Sequence, residues 1–237
     1  MIKWFLLYNH KYYMKSYKYV PPFLVFFTIL FIAYSIKPVN VMNSYAFTTV
    51  LIFFISAWLA YGFIENEDMI QQQITILHLD SQNVYYFFKI IYIWLFSFIF
   101  TFIALIYPIL LNAFNREITF RDIIISVISH IIASFLGTSI GCFFGSRLFN
   151  IKRASVISFI ALLLISILGK LIFKNIPHLN FILYIIPPVW MLIDEITKYD
   201  IISYREYYNF VVKSFFVLSY SFILCSIFIF IMKKKKF

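Results

Sequence analysis

The chain has little of what water-soluble catalysts depend on. Only 13% of its 237 residues are charged, and it has five glycines, seven prolines and two cysteines. Gly62, Gly137, Gly141, Gly145 and Gly169 fall in no GxxxxGK[ST] context, so the sequence has no phosphate-binding loop. It also has no HExxH and no CxxC, which excludes the zincin and thiol-pair patterns. Cys142 and Cys225 both lie in apolar runs, which argues against a structural disulfide. Of the four histidines only His130 falls deep in an apolar stretch, with no carboxylate at that depth. It is either a hydrogen-bonded packing residue or a proton relay. Asp194 and Glu195 are adjacent but have no histidine at useful spacing. The sequence supports no catalytic site, no metal site and no nucleic-acid partner.

What is abundant is apolar surface. Sixty-three per cent of residues are hydrophobic, and the mean hydropathy is +0.90. A soluble chain of this length cannot hide that much apolar area. The runs are apolar throughout, without strand-like alternation, so the expected fold is an all-α integral membrane protein. The net charge of +10 sits mostly at the borders of these runs, where it reports orientation and headgroup contact.

Residues 1–18 mix Trp4, Phe5, Tyr8, Tyr12 and Tyr13 with lysines, the pattern of a helix lying in the membrane interface. Six spans follow: Val20 to Ile36, Tyr45 to Phe63, Tyr86 to Leu111, Ile123 to Phe144, Ala154 to Phe173 and Phe210 to Met232. Asn180 to Ile193 is apolar but short, and Pro187-Pro188 breaks it. It is expected to be re-entrant within an external segment, 174–208. With both termini inside, twelve of the twenty basic residues fall on the inner side and eight outside, the sign the positive-inside rule requires.

The segment 64–85 carries four of the ten carboxylates, Glu65, Glu67, Asp68 and Asp80. Within it Ile70, Ile74 and Leu77 recur at helical spacing, with His78 on another face. That describes a short amphipathic helix suited to a groove on a partner protein, or else a solvated connector. In the fourth span Ser129, Ala133, Gly137, Gly141 and Gly145 form a small-residue stripe. Such a stripe lets another helix approach closely, whether from this chain or from a second subunit.

The order of these parts (basic aromatic elbow, two spans, acidic helix, four more spans with a re-entrant segment before the last) resembles the type-2 ABC exporter permeases. Glu65 and Glu67 match the family's acidic opening, Leu79-Asp80-Ser81 partly matches its turn, and Lys89 matches the lysine that follows; the family's proline is absent. Size and composition are most similar to small peptide-exporter permeases of Gram-positive bacteria. The resemblance implies a multi-pass protein of the bacterial plasma membrane with both termini cytoplasmic. It implies two such permeases, identical or homologous, driven by two copies of a separate ABC ATPase that binds ATP and magnesium. The ATPase would meet Glu65, Glu67, Asp68, Ile70, Ile74, Leu77 and His78, with Arg147 as a second contact. The cargo would be an amphipathic peptide or other hydrophobic molecule. A stand-alone protein for bacteriocin or toxin immunity is the alternative.

Overall fold

The computed structural model describes residues 2–79, 81–145, 152–173, 182–198 and 204–234. They form an all-helical protein: α1 (Ile2–Ser16), α2 (Val20–Ala33), α3 (Val41–Ile64), α4 (Met69–Leu79), α5 (Gln82–Leu110), α6 (Phe120–Phe144), α7 (Lys152–Phe173), α8 (Ile182–Ile185), α9 (Val189–Lys198) and α10 (Tyr204–Lys234). Helices α3, α5, α6, α7 and α10 are each long and apolar enough to cross a membrane. The chain is therefore a multi-pass membrane protein.

The first span is shorter than the sequence suggests. Helix α2 ends at Ala33 and has fourteen residues, about 21 Å at the usual helical rise. It reaches span length only together with α1, from which it is bent by 76°. The segment expected to be an interfacial elbow, residues 1–18, is a helix set at a sharp angle to α2. Pro21 and Pro22 fall in the first turn of α2, where a missing N–H breaks no helical bond. Beyond α2 the Lys37 ammonium reaches the Leu111 carbonyl at 2.6 Å, and Val39 bridges to Phe114. The chain has by then passed from the face carrying α1 and α4 to the far face.

Local signals start the long helices. Asn40 caps α3 by accepting from Asn43 N–H at 2.9 Å, and Ser81 caps α5 by accepting from Val84 N–H. Thr119 and Asp122 make a reciprocal capping box on α6. Arg116 secures that turn, donating to Asp122 through both terminal nitrogens at 2.7 and 3.2 Å. Helix α5 runs through Pro108 and ends two residues later. Within the spans, hydroxyls return to the preceding turn, as Ser97 does to Ile93, Ser129 to Ile125 and Thr138 to Ser134. No water is needed to satisfy them.

The centre is the α3–α6 pair, and the small-residue stripe builds it. A methyl group placed on Gly137 would lie 2.3 Å from the Phe53 carbonyl oxygen. On Gly141 it would lie 2.1 Å from that of Ala57, and on Gly145 2.6 Å from that of Tyr61. Three successive turns of α3 backbone therefore rest on three glycines of α6. Ser129 and Ala133 are fully buried above them. Of the two partners open to the stripe, α3 of the same chain is the one it meets. Gly141→Leu should lower the thermal unfolding midpoint in detergent, because the atoms it strikes are backbone. Overpacking of this kind costs about 1–3 kcal/mol or more. An unchanged midpoint would mean that α3 does not rest on this seam.

On the far face, α8 and α9 are separated by the break at Pro187-Pro188. The Tyr220 hydroxyl, well inside α10, donates to the Ile185 carbonyl at 2.6 Å. Val189 and Leu192 share a core cluster with Phe53, Leu136 and Val217, whereas Ile196 joins the outer cluster of Val41, Tyr45 and Phe210. Helix α9 thus runs between the inner and the outer cluster. Residues 174–181 and 199–203 lie outside the described residues. A topology reporter inserted after Asn175 is expected on the side opposite one fused after Lys236. Agreement between the two would contradict the external, re-entrant segment expected at 174–208.

Candidate functional site: the α4 helix and its buried anchor

Helix α4 turns Ile76 and Leu79 to the bundle together with polar residues, and leaves a further row of apolar residues outside. Toward the protein it turns Gln72, whose amide donates to the Tyr86 hydroxyl at 2.5 Å, and Thr75, whose hydroxyl contacts Glu67 at 3.2 Å. Only Leu79, at its end, is buried. Away from the protein it turns Met69, Ile70, Ile74 and Leu77, which are 50%, 74%, 44% and 73% exposed. An exposed apolar row of this kind marks a surface for a protein partner or for the membrane interface.

The helix is held by one carboxylate. Glu67 lies between α3 and α4, 4% exposed, and accepts hydrogen bonds on both oxygens. Oε1 receives the Tyr8 hydroxyl at 3.0 Å and that of Thr75. Oε2 receives the Lys89 ammonium at 2.7 Å and the Tyr85 hydroxyl in a short contact. Lys89 also donates to the Tyr85 oxygen at 2.8 Å, and its ammonium lies over the Phe63 and Tyr85 rings. One cluster therefore joins α1, α4, α5 and the end of α3. Tyr12 adds a bond to the Asn66 carbonyl at 3.3 Å, and the Lys18 ammonium one to that of Glu65.

Burial by itself would push the Glu67 carboxyl up. The adjacent Lys89 charge and the bonds from Lys89, Tyr85 and Tyr8 outweigh it and hold the group below the usual carboxylate range. The stabilisation this gives is present above the ordinary carboxylate pKa and is lost as pH falls through the lowered value. Tyr8 is pushed up to about 12 by burial and by the Glu67 charge, so it remains a donor throughout the neutral range.

This corrects the reading of Glu67 as a rim charge open to a partner: it is buried and spent on Lys89. The residues expected at a partner surface separate accordingly. Asp68, Ile70, Ile74, Leu77 and His78 are exposed, Glu65 is half-buried at the end of α3, and Glu67 faces inward. His78 donates through Nδ1 to the Ile74 carbonyl at 2.8 Å. Arg147 and Asp80 lie outside the described residues. Sequence reasoning met Lys89 only as the residue that follows the acidic helix. The signal it missed is that a lysine in the second turn of a span needs a carboxylate partner, with Tyr85 one turn before it on the same face.

His130 and the acidic pair at residues 194 and 195 are accounted for by packing contacts. His130 is fully buried; its Nδ1 donates to the Ser126 carbonyl, and Nε2 meets the Thr48 hydroxyl at 2.9 Å. It ties α6 to α3. Asp194 pairs with Lys170 at 2.5 Å and Lys198 at 2.7 Å, and Glu195 pairs with Lys213. Three helices of the far face meet through these ions. Among the described residues no cluster of His, Cys, Asp or Glu has the make-up of a metal site.

No protein-family model matches the chain, and comparison with curated proteins and with solved structures found no match.

Proposed function

We propose that this chain is the membrane-spanning permease subunit of an ATP-driven ABC exporter in a bacterial plasma membrane. ATP hydrolysis would be supplied by a separate ATPase, and two permeases, identical or homologous, would form the path. The observation that carries this reading is α4: an outward row of Ile70, Ile74 and Leu77 on a helix pinned to the bundle by Glu67. In this reading the row seats in a groove of the ATPase. Asp68 and Glu65 meet basic residues at the rim, and Arg147 adds a second contact.

Force would pass from α4 by the buried cluster. When the ATPases close on ATP and magnesium, α4 moves. Glu67 carries the movement to Lys89 and Tyr85 of α5 and to Tyr8 of α1. Because α3 is seated on the glycines of α6, α3 and α6 follow as one body, a rigid rocking rather than a local bend. The spans carry no ring of carboxylates for an ion, and their Phe, Tyr and Ile side chains suit an amphipathic peptide or similar hydrophobic cargo. Tagged protein purified from its native membrane should bring an ATPase with a phosphate loop. A pure permease preparation at moderate salt would contradict the proposal.

A further inference from the structure

A groove of about 450 Å³ runs between the first turns of α5 and the last turns of α10, on the same face as α4. Asn83, Val84 and Phe87 line it from α5, and Ser226, Ile229, Phe230 and Lys233 from α10. Behind it, Tyr86 and Phe228 meet edge to face and hold the two helices together. Its lining changes along the membrane normal. Asn83 and Lys233 stand at the mouth, where the helices leave the membrane. Phe87 lies about 6 Å deeper and Ser226 about 10 Å deeper at the helical rise. The Ser226 hydroxyl is turned back to the Phe222 carbonyl at 2.9 Å, so the inner part presents carbon.

The described charges at the mouth have one sign. Among the described residues no acidic side chain lines the groove, and no ion pair includes Lys233. The Lys234 ammonium sits 4.4 Å over the ring of Phe230, itself a lining residue, which brings a second cation to the same place. The sequence continues with Lys235 and Lys236. A second copy of this chain would have to bury these ammonium groups or supply carboxylates, and a neutral lipid would leave them uncompensated.

We infer that this groove binds one phospholipid with a net-negative headgroup. The phosphodiester lies between Lys233, Lys234 and Asn83, and an acyl chain runs inward past Phe87, Ile229 and Phe230. The headgroup is held by charge and the chain by apolar contact, so affinity for an anionic lipid exceeds that for a neutral lipid with the same tails. Each ammonium near a membrane surface is worth about fivefold in binding an anionic lipid. The bound lipid also ties the end of α10 to the first turn of α5, directly after α4.

The test uses the full chain in detergent, stripped of lipid and then given phosphatidylglycerol or phosphatidylcholine with identical tails. Bound lipid is counted by native mass spectrometry. The wild type should retain one phosphatidylglycerol with at least tenfold preference over phosphatidylcholine. Lys233→Gln with Lys234→Gln should reduce that preference by on the order of tenfold and leave phosphatidylcholine binding as it was. Ser226→Phe, which fills the inner groove at an exposed position, should lose the retained lipid whatever its headgroup. Equal affinity for the two lipids in the wild type would overturn the inference, as would a preference that survives both variants. So would equal stabilisation by soluble glycerol phosphate, which would mark a simple anion site. A change of oligomeric state in Ser226→Phe would mark the groove as a contact between copies, and would overturn it too.

Discussion

Lys89→Met should lower the stability of the purified protein by about 3–5 kcal/mol, the cost of leaving a buried charge without its partner. Glu67 and Lys89 have side chains only 3% and 4% exposed, so solvent cannot screen the orphan. Glu67→Gln should cost a similar amount, because it leaves the ammonium without a counter-charge against the buried Phe63 and Tyr85 rings. The pair replaced together, Glu67→Gln with Lys89→Met, should cost clearly less than the two single changes added, since neither charge is then left alone. Thermal or denaturant unfolding in detergent reads all three. Additive losses would mean that the two side chains act separately and that α4 is not anchored by their contact.

The consequence for α4 is order rather than mere stability. Its apolar anchors on the inward face are Leu79 and the partly buried Ile76, and its bonds to the bundle run through Gln72 and Thr75. Without the Glu67 hub, the helix would remain attached at its ends and lose its fixed orientation toward α1 and α5. Lys89→Met should therefore weaken coupling even at temperatures where the protein stays folded.

The long helices were legible in the sequence because each apolar run is bounded by residues whose chemistry ends or starts a helix. Pro187-Pro188 breaks, but the starts were missed: Asn40, Ser81 and Thr119 cap helices that begin at Val41, Gln82 and Phe120, ahead of the expected Tyr45, Tyr86 and Ile123. The glycine seam was legible as a stripe, since a spacing of four puts Gly137, Gly141 and Gly145 on one face. Its partner was not: only folding decides whether α3 or another subunit lies there. Glu67 was misjudged for a related reason. Glu65, Glu67 and Asp68 are one acidic group in the chain, but a turn between α3 and α4 points them in different directions. Only the meeting of Tyr8, Tyr85 and Lys89, from two other helices, shows which one turns inward. The shortness of α2 was hidden as well, since Tyr34, Ser35 and Ile36 extend the apolar run without continuing the helix.

The row on α4 is what the proposed function stands on. Ile74 is its middle residue and is 44% exposed, so a change there leaves the bundle and the Glu67 cluster intact. In a groove built for an apolar anchor, Ile74→Asp sets a charge that must be desolvated without a partner. That should cost several kcal/mol, a loss of affinity on the order of a hundredfold or more. The decisive measurement is co-purification of the ATPase with tagged wild type and tagged Ile74→Asp from the same membranes at moderate salt. Expression and the unfolding midpoint of the permease serve as controls. The account predicts normal insertion and an unchanged midpoint, with the ATPase and transport-linked ATP turnover lost. Undiminished ATPase recovery with Ile74→Asp would contradict it, because α4 would then not be the element through which this protein is driven.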